Sequence, residues 1–444
     1  MILTSLVLGA LLVPQRPSTP STPQTAALSS AIDKAAAAVE QEMLGWRRHL
    51  HQHPELSNRE VETAKYVADK LRSFGLEPRT NIARNGVVAL LKGGRPGGVV
   101  ALRADMDGLP VTEETGLPFA SRAKGEYEGR QVGVMHACGH DTHVAMLLAV
   151  AKILSDHRAE LPGSVTFVFQ PAEEGAPRGE DPAGAQAMVQ AGVLKDPPVD
   201  AIFGVHVYAN LPTGRIAWIS GPMMAASDSY EIIVKGRQTH GATPWAGVDP
   251  IVVGSQIVVA LQTIVSRQVE ITKQPAIVTV GQFEAGVRSN IIPDSARLVG
   301  TIRTFDSAMQ EDIHDRVRRT ATQIAASAGA TADVRIDRGY PVTVNDPELT
   351  SRMVPTLRRV LGTNLIEGTK ITGAEDFSYF QQQVPGLFLL LGITPPPEVG
   401  KAPQNHSPKF LVDEAALITG VRTLAQLAVE FLSSTGARGA AGAQ

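Results

Sequence analysis

The chain has 444 residues, 43% of them hydrophobic and 19% charged, with 41 Lys+Arg against 44 Asp+Glu. That balance belongs to an ordinary globular protein, which sets aside disordered, collagenous and coiled-coil architectures, and the length calls for two or three domains. A formal charge of −3 leaves no basic field for a phosphate backbone, so no nucleic-acid partner is expected, and the single cysteine, Cys138, forbids an internal disulfide.

Residues 1–30 read as a signal peptide and Pro-rich leader. An apolar run over 2–13 has the length of a signal-peptide core and is too short to span a bilayer. Pro14, Pro17, Pro20 and Pro23 follow, and Thr25-Ala26-Ala27 offers a small-residue cleavage site. No Lys or Arg precedes the run, so the alternative is an extension on a cytoplasmic enzyme. With the leader removed, the chain is expected to be exported. It has no later uninterrupted apolar run of about 18 residues and is expected to stand free of the membrane.

Over 32–49 the residues Ala35, Val39, Met43, Leu44 and Trp46 keep helical spacing. A second helix is expected over 59–74, closed by Gly75 in a left-handed cap. Short β-branched runs over 86–91 and 98–102 read as strands, as do the apolar runs at 165–169, 201–207 and 387–391, with a helix over 144–154 among them. Between 222 and 340 the rhythm changes: strand 230–235, helix 250–269, strands 276–283 and 296–304, helix 308–326, strand 333–336. That β-α-β-β-α-β order is ferredoxin-like. The expected fold class is α/β: a catalytic domain with a mixed sheet flanked by helices, built from 31–221 and 341–434 and interrupted by an inserted α+β domain at 222–340. The stretch 435–444 reads as a disordered tail.

Four segments carry candidate chemistry. The run His136-Ala137-Cys138-Gly139-His140-Asp141-Thr142-His143 collects thiol, imidazole and carboxylate ahead of a helix. Alone, Cys138 with His140 reads either as nucleophile and base or as two metal ligands. Glu173-Glu174 follows a hydrophobic strand, where the catalytic groups of open α/β sheets gather, although a generic acidic pair is more often a solvated loop. His206 ends an apolar strand, where a lone histidine is more often a core residue, and His406 sits in a proline-flanked loop, where it is ordinarily only solvated. Together Cys138, His140, Glu174, His206 and His406 offer five N, S and O donors. One tetrahedral catalytic ion needs three protein ligands, so five suit two divalent ions per subunit sharing a bridge, and a thiolate among imidazoles favours a borderline transition metal such as Zn, Mn or Co. Glu173, left over, can take the proton from a water whose acidity the ions raise.

These motifs resemble the M20 peptidase family of metal-dependent amidohydrolases, in the branch of hippurate hydrolases, indole-acetyl-amino-acid hydrolases and N-acetyl-diaminopimelate deacetylases. The resemblance runs over 44–432 and takes in the motifs at 50–56, 102–110, 136–141, 171–175, 372–377 and 405–408. It implies a zinc-peptidase-like catalytic domain with an inserted lid, and a di-metal centre bridged by Cys138 with ligands His140, Glu174, His206 and His406. Glu173 is then the general base, and the substrate is an N-acyl amino acid of acetyl, benzoyl or indole-acetyl type.

Where the family places a substrate-binding histidine, this chain has His240 in Thr239-His240-Gly241-Ala242-Thr243-Pro244. In dimeric relatives that histidine reaches the partner's active site and steadies the oxyanion, which implies a homodimer through the lid. A surface turn is the alternative. Asn290 matches a lid position that binds the substrate's polar end, and Arg303 is a candidate for meeting a carboxylate there. Asp105 and Asp107 end a strand, where a carboxylate can orient a ligating imidazole from behind, with loop capping the alternative, and Asp141 and His143 are expected to be supports rather than ligands. The run His49, His51 and His53 is structural in the family. Other readings are a metallo-exopeptidase of the same fold, a cysteine hydrolase using Cys138, and a non-catalytic binding protein. The last is expected to lack Glu173 or a ligand, and this chain keeps them all.

Overall fold

The structure, a computed structural model, describes residues 23–441. Residues 1–22 of the expected leader lie outside them. From Pro23 the chain is already helical, so the first helix is Pro23–Gln52 rather than one beginning at Ile32. The extra turns persist because Leu28, Ser29 and Ile32 bury against the core and Gln426 Nε2 donates to the Ser29 carbonyl at 2.8 Å. The final helix, Leu417–Ala441, likewise runs into the stretch expected to be disordered.

The large sheet has eight strands, in the spatial order Arg79–Ile82, Gly86–Lys92, Pro162–Gln170, Arg95–Asp105, Ala201–Pro212, Gly386–Thr394, Ile216–Trp218, Leu365–Glu367. Its central four, Pro162–Gln170 through Gly386–Thr394, are parallel to one another, while the pairs outside them at Gly86–Lys92 and Ile216–Trp218 are antiparallel. Strict alternation divides the apolar residues. Val100, Leu102, Phe167, Phe203 and Leu389 face the helices Pro23–Gln52, His140–Asp156 and Leu417–Ala441, and Ala101, Val168, Ile202 and Phe388 face a second cluster with Phe377 and Phe380. Covered on both sides, the central strands can open only at their ends, and the carboxyl ends become the place where polar groups collect.

The second helix, Val61–Ser73, ends as its sequence predicts. Gly75 takes φ 75°, its N–H reaches Arg72 O at 2.9 Å, and Leu76 N reaches Leu71 O at 3.0 Å, the paired bonds of a Schellman cap. Short pieces such as Lys124–Tyr127, Ile216–Trp218, Thr343–Asn345 and Leu365–Glu367 carry too few residues for a periodic signal.

A separate four-stranded antiparallel sheet, ordered Ala276–Ala285, Ser295–Thr304, Ala226–Lys235, Thr331–Arg338, is covered on one face by the helices Pro250–Thr263 and Ser307–Ser327. Its core of Tyr230, Ile232, Val234, Ile257, Leu261, Leu298, Ile313 and Val317 is distinct from that of the large sheet. Two stretches, Pro250–Gln268 and Glu414–Ser434, are long and apolar enough by composition to cross a membrane. The first packs one face on this sheet and the second is mostly buried in the large core.

Candidate active site

The helix His140–Asp156 starts at Gly139, whose φ of 92° and contact with Val207 Cγ2 exclude a side chain there. That tight turn sets Cys138 and His140 at the carboxyl ends of the central strands. Cys138 Sγ lies 3.4 Å from His206 Nε2 and 3.3 Å from His406 Nε2. His406 Nε2 is 3.2 Å from Glu174 Oε1, and His140 Nε2 is 3.9 Å from both Glu174 Oε1 and Glu173 Oε2. The five donors expected from the sequence thus meet in one cluster, in the overlapping groups Cys138–His140–His206, Cys138–Glu174–His406 and His140–Glu173–Glu174. His406 adopts φ 73°, an uncommon backbone for a non-glycine residue, while its N–H is tied to Ala137 O at 2.7 Å.

Hydrogen bonds on the far ring nitrogens orient the imidazoles. His206 Nδ1 donates to Val207 O at 2.7 Å, which leaves Nε2 as the lone-pair nitrogen facing Cys138. His140 Nδ1 donates to Asp107, to its carbonyl at 2.9 Å and its Oδ1 at 3.2 Å. Asp107 also accepts the backbone N–H groups of Glu173 at 3.1 Å and Glu174 at 3.0 Å, and so fixes both acids and His140 together. Asp105 holds His143 Nδ1 at 2.5 Å, and His143 Nε2 accepts the Val207 N–H at 2.9 Å, beside His206. Asp141 does not reach the cluster. It bonds Arg47 Nε at 2.8 Å and His51 Nδ1 at 3.0 Å, because the first turn of the helix points it toward the Pro23–Gln52 helix. The carboxylate behind His140 is Asp107.

A buried ion network that motif reading leaves without a role lies next to Glu173. Arg103 Nη1 meets Asp105 Oδ2 at 2.5 Å, and its Nη2 meets Glu375 Oε1 at 2.9 Å and Asp376 Oδ1 at 3.0 Å. Gln170 Nε2 donates to Asp376 at 2.8 and 2.7 Å. The alternation of the Arg95–Asp105 strand places Arg103 on the opposite face from Leu102, with its guanidinium over the Phe377 ring.

Negative charge is in excess here. Asp105, Asp107, Glu173, Glu174, Glu375 and Asp376 crowd one region with Arg103 as the guanidinium among them. Burial, reinforced by Glu375, Glu174 and Asp376, holds the Glu173 carboxyl well above its usual range. Burial opposes a charge on His140, yet Asp105 and Asp107 outweigh it and push the imidazole up to about 10. Burial and the carboxylates of Glu174, Glu173 and Asp105 raise the Cys138 thiol well above its ordinary value, the wrong direction for a free cysteine nucleophile. His140 Nε2 is buried without a hydrogen-bond partner. Excess anions, an orphaned imidazole nitrogen and a thiol that only a cation would ionise all fit a divalent metal.

Three predicted residues stand apart. His240 and Asn290 are exposed and adjacent, joined by Gly241 N to Asn290 O at 2.8 Å, and Arg303 is half-buried on the strand Ser295–Thr304. Among the described residues, no hydrogen bond or ion pair links them to the cluster.

Sulfur, nitrogen and carboxylate donors at the carboxyl end of an open α/β sheet, with one buried acid to spare, define a metal-dependent hydrolase. Peptidase family M20/M25/M40 matches residues 101–430, and the chain belongs to that family. It is 41% identical to thermostable carboxypeptidase 1 of Saccharolobus solfataricus over 387 residues, 87% of this chain and 94% of that one. It is also 41% identical to an N-acyl-L-amino acid amidohydrolase of Geobacillus stearothermophilus over 332 residues, 74% of this chain and 85% of that one. A solved Bacillus subtilis structure, described as a dinuclear metal binding peptidase of the M20 family, superposes with a TM-score of 0.75 at 36% identity, covering 90% of this chain and 99% of that one. The protein is a metal-dependent amidohydrolase of this family.

Proposed function

We propose that the enzyme hydrolyses the amide bond of N-acyl amino acids, and that Cys138, His140, Glu174, His206 and His406 would hold two divalent ions, of Zn, Mn or Co type. The observation that carries this reading is the convergence of all five donors around Cys138 while Glu173 remains uncommitted beside His140. The ions supply Lewis acidity toward the acyl carbonyl and the attacking water. Glu173 accepts the proton of that water and returns it to the departing amine. His206 and His140 stay fixed by Val207 and Asp107, so the donor set does not reorganise during turnover.

The inserted α+β unit, taken as 222–340, supplies the rest. His240 Nδ1 accepts the Ala242 N–H at 3.0 Å, so the neutral ring carries its proton on Nε2, the form able to donate to an oxyanion. His240 is exposed and away from the cluster of its own subunit, and we assign it to the active site of a second copy in a homodimer formed through this unit. Asn290 beside it binds the amino-acid carboxyl end, with Arg303 as a further cation on the same unit. Closure of the unit over the site excludes water. The apolar run over 2–13, ahead of the helix that packs into the core from Pro23, directs export.

A carboxypeptidase reading is the second candidate, because a relative of 41% identity carries that name. Metal-stripped enzyme, reloaded with manganese, zinc or cobalt, is to be assayed on N-acetyl, N-benzoyl and indole-acetyl amino acids and on N-blocked dipeptides. Preferential cleavage of the simple N-acyl amino acids supports the proposal, and preference for the dipeptides replaces it with the peptidase reading.

A further inference from the structure

The backbone of the loop that carries the acids is held from three parts of the fold. Glu60 Oε1 accepts the Ala172 N–H at 2.8 Å, and Asp107 accepts the N–H groups of Glu173 and Glu174. The remaining bond comes from the other sheet's side of the molecule: the Tyr340 hydroxyl donates to the Glu173 carbonyl oxygen at 2.5 Å. Ala172 takes φ 51°, a conformation that a non-glycine residue keeps only when its surroundings hold it.

Tyr340 stands two residues past the end of the strand Thr331–Arg338, where the chain leaves the four-stranded sheet for the large one. At that crossover it is fastened to the inserted unit. Tyr340 O accepts the Ser227 N–H at 3.0 Å, Tyr340 N donates to Ser227 Oγ at 3.3 Å, and Gly339 N donates to Asp228 Oδ1 at 3.3 Å. Asp228 is itself locked by Gln310 and His314, each at 2.7 Å, on the helix Ser307–Ser327. Ser227 and Asp228 open the strand Ala226–Lys235, so both chain crossings between the two sheets are joined at this point. A rigid path therefore runs from that helix through Asp228 and the Gly339–Tyr340 peptide to the backbone of Glu173.

We propose that Tyr340 is a positioning residue that ties the placement of the Glu173 carboxyl to the position of the inserted unit, so that the base is correctly aimed only when that unit is correctly seated. This rests on the reading of Glu173 as the general base. The Tyr340 ring is a short lever with two rotatable bonds, and a small rotation at the crossover moves its hydroxyl, and with it the Glu173 carbonyl, by a comparable distance. Misplacement on the scale of 1 Å is enough to cost about 100-fold in rate.

The test is a double-mutant cycle on the metal-loaded enzyme. Tyr340→Phe is expected to keep the metal content and KM, while kcat falls roughly 10- to 100-fold. Tyr230→Phe removes another tyrosine hydroxyl of the inserted unit, one that bonds Thr279 O at 3.0 Å away from the Asp228–Tyr340 path, and it is expected to leave kcat within about twofold. In the background of Glu173→Gln, adding Tyr340→Phe is expected to cost nothing further, because a residue acting through the base loses its effect once the base is gone. If the two losses multiply, or if Tyr340→Phe raises KM and leaves kcat intact, Tyr340 does not act through Glu173 and the proposal is overturned. Full activity of Glu173→Gln alone would instead remove the general-base reading, a result separable from any behaviour of Tyr340.

Discussion

Around the large sheet, Arg103 and Glu375 lie 272 positions apart in sequence yet meet at 2.9 Å, both buried, and His140 and His206 beside them are each oriented by a bond on the far ring nitrogen. In the inserted unit, His240 and Asn290 are exposed at a separate two-residue ribbon, where the bonds are local, from Gly241 N to Asn290 O and from Ala242 N to the His240 ring. One region is held rigidly within a single chain, and the other turns its polar groups outward. On the proposed reading, preorganisation concentrates where metals would be held and protons moved, and recognition of the substrate's remote end would be left to a surface that approaches and withdraws.

Variants can separate these two regions. Glu173→Gln is expected to retain bound metal and lose at least about 10⁴-fold in kcat, since the proton path is removed while the donors are untouched. Metal analysis beside steady-state kinetics checks it, and a variant that turns over normally breaks the assignment. Arg103→Met leaves the carboxylates of Asp105, Glu375 and Asp376 buried without their cation and is expected to cost about 3–5 kcal/mol of stability, read by urea unfolding. A loss below about 1 kcal/mol would mean that the network is more hydrated than its burial indicates. His240→Ala should lower kcat by roughly 10²–10³ with little change in unfolding midpoint, because its ring is exposed and its bond from the Ala242 N–H is local.

The smallest effect concerns acid stability of the inserted unit. Bonds from His314 and Gln310 hold the Asp228 carboxyl below its usual range against the opposing effect of burial. A carboxyl whose folded value is depressed contributes stability that is present above the ordinary carboxylate range and is lost as pH falls through the folded value. Asp228→Asn should therefore flatten the decline in stability as pH falls through the carboxylate range. Thermal unfolding followed against pH for both proteins reads the difference directly, and parallel curves would remove Asp228 from the account.

Much of the fold was legible in order and type. The β-α-β-β-α-β rhythm over 230–336 matches a real sheet because each element is long enough to show its own period, and Gly75 marks a helix end because only its left-handed φ permits the cap. The donors were legible for a chemical reason: a thiol, imidazoles and acids at strand ends are few and conspicuous. Their supports were legible only as candidates, without their partners. Asp107 and Asp141 lie equally close to motif residues, and only the direction of the first helical turn decides that Asp107 backs His140 while Asp141 turns to Arg47 and His51. Arg103, Glu375 and Asp376 sit inside motif stretches, but their partnership depends on which face of a strand Arg103 occupies and on a chain reversal that no local pattern reports. Tyr340 gives no signal at all, since a tyrosine after a strand is unremarkable until the crossover places its hydroxyl on Glu173 O.

The most direct measurement is anomalous diffraction from crystals of the protein grown with zinc or manganese. Two peaks per subunit, about 3.5–4 Å apart with the Cys138 sulfur between them and His140, Glu174, His206 and His406 around them, are the predicted result. A single ion bound without Cys138, or peaks only at the acidic group of Glu375 and Asp376, would contradict it.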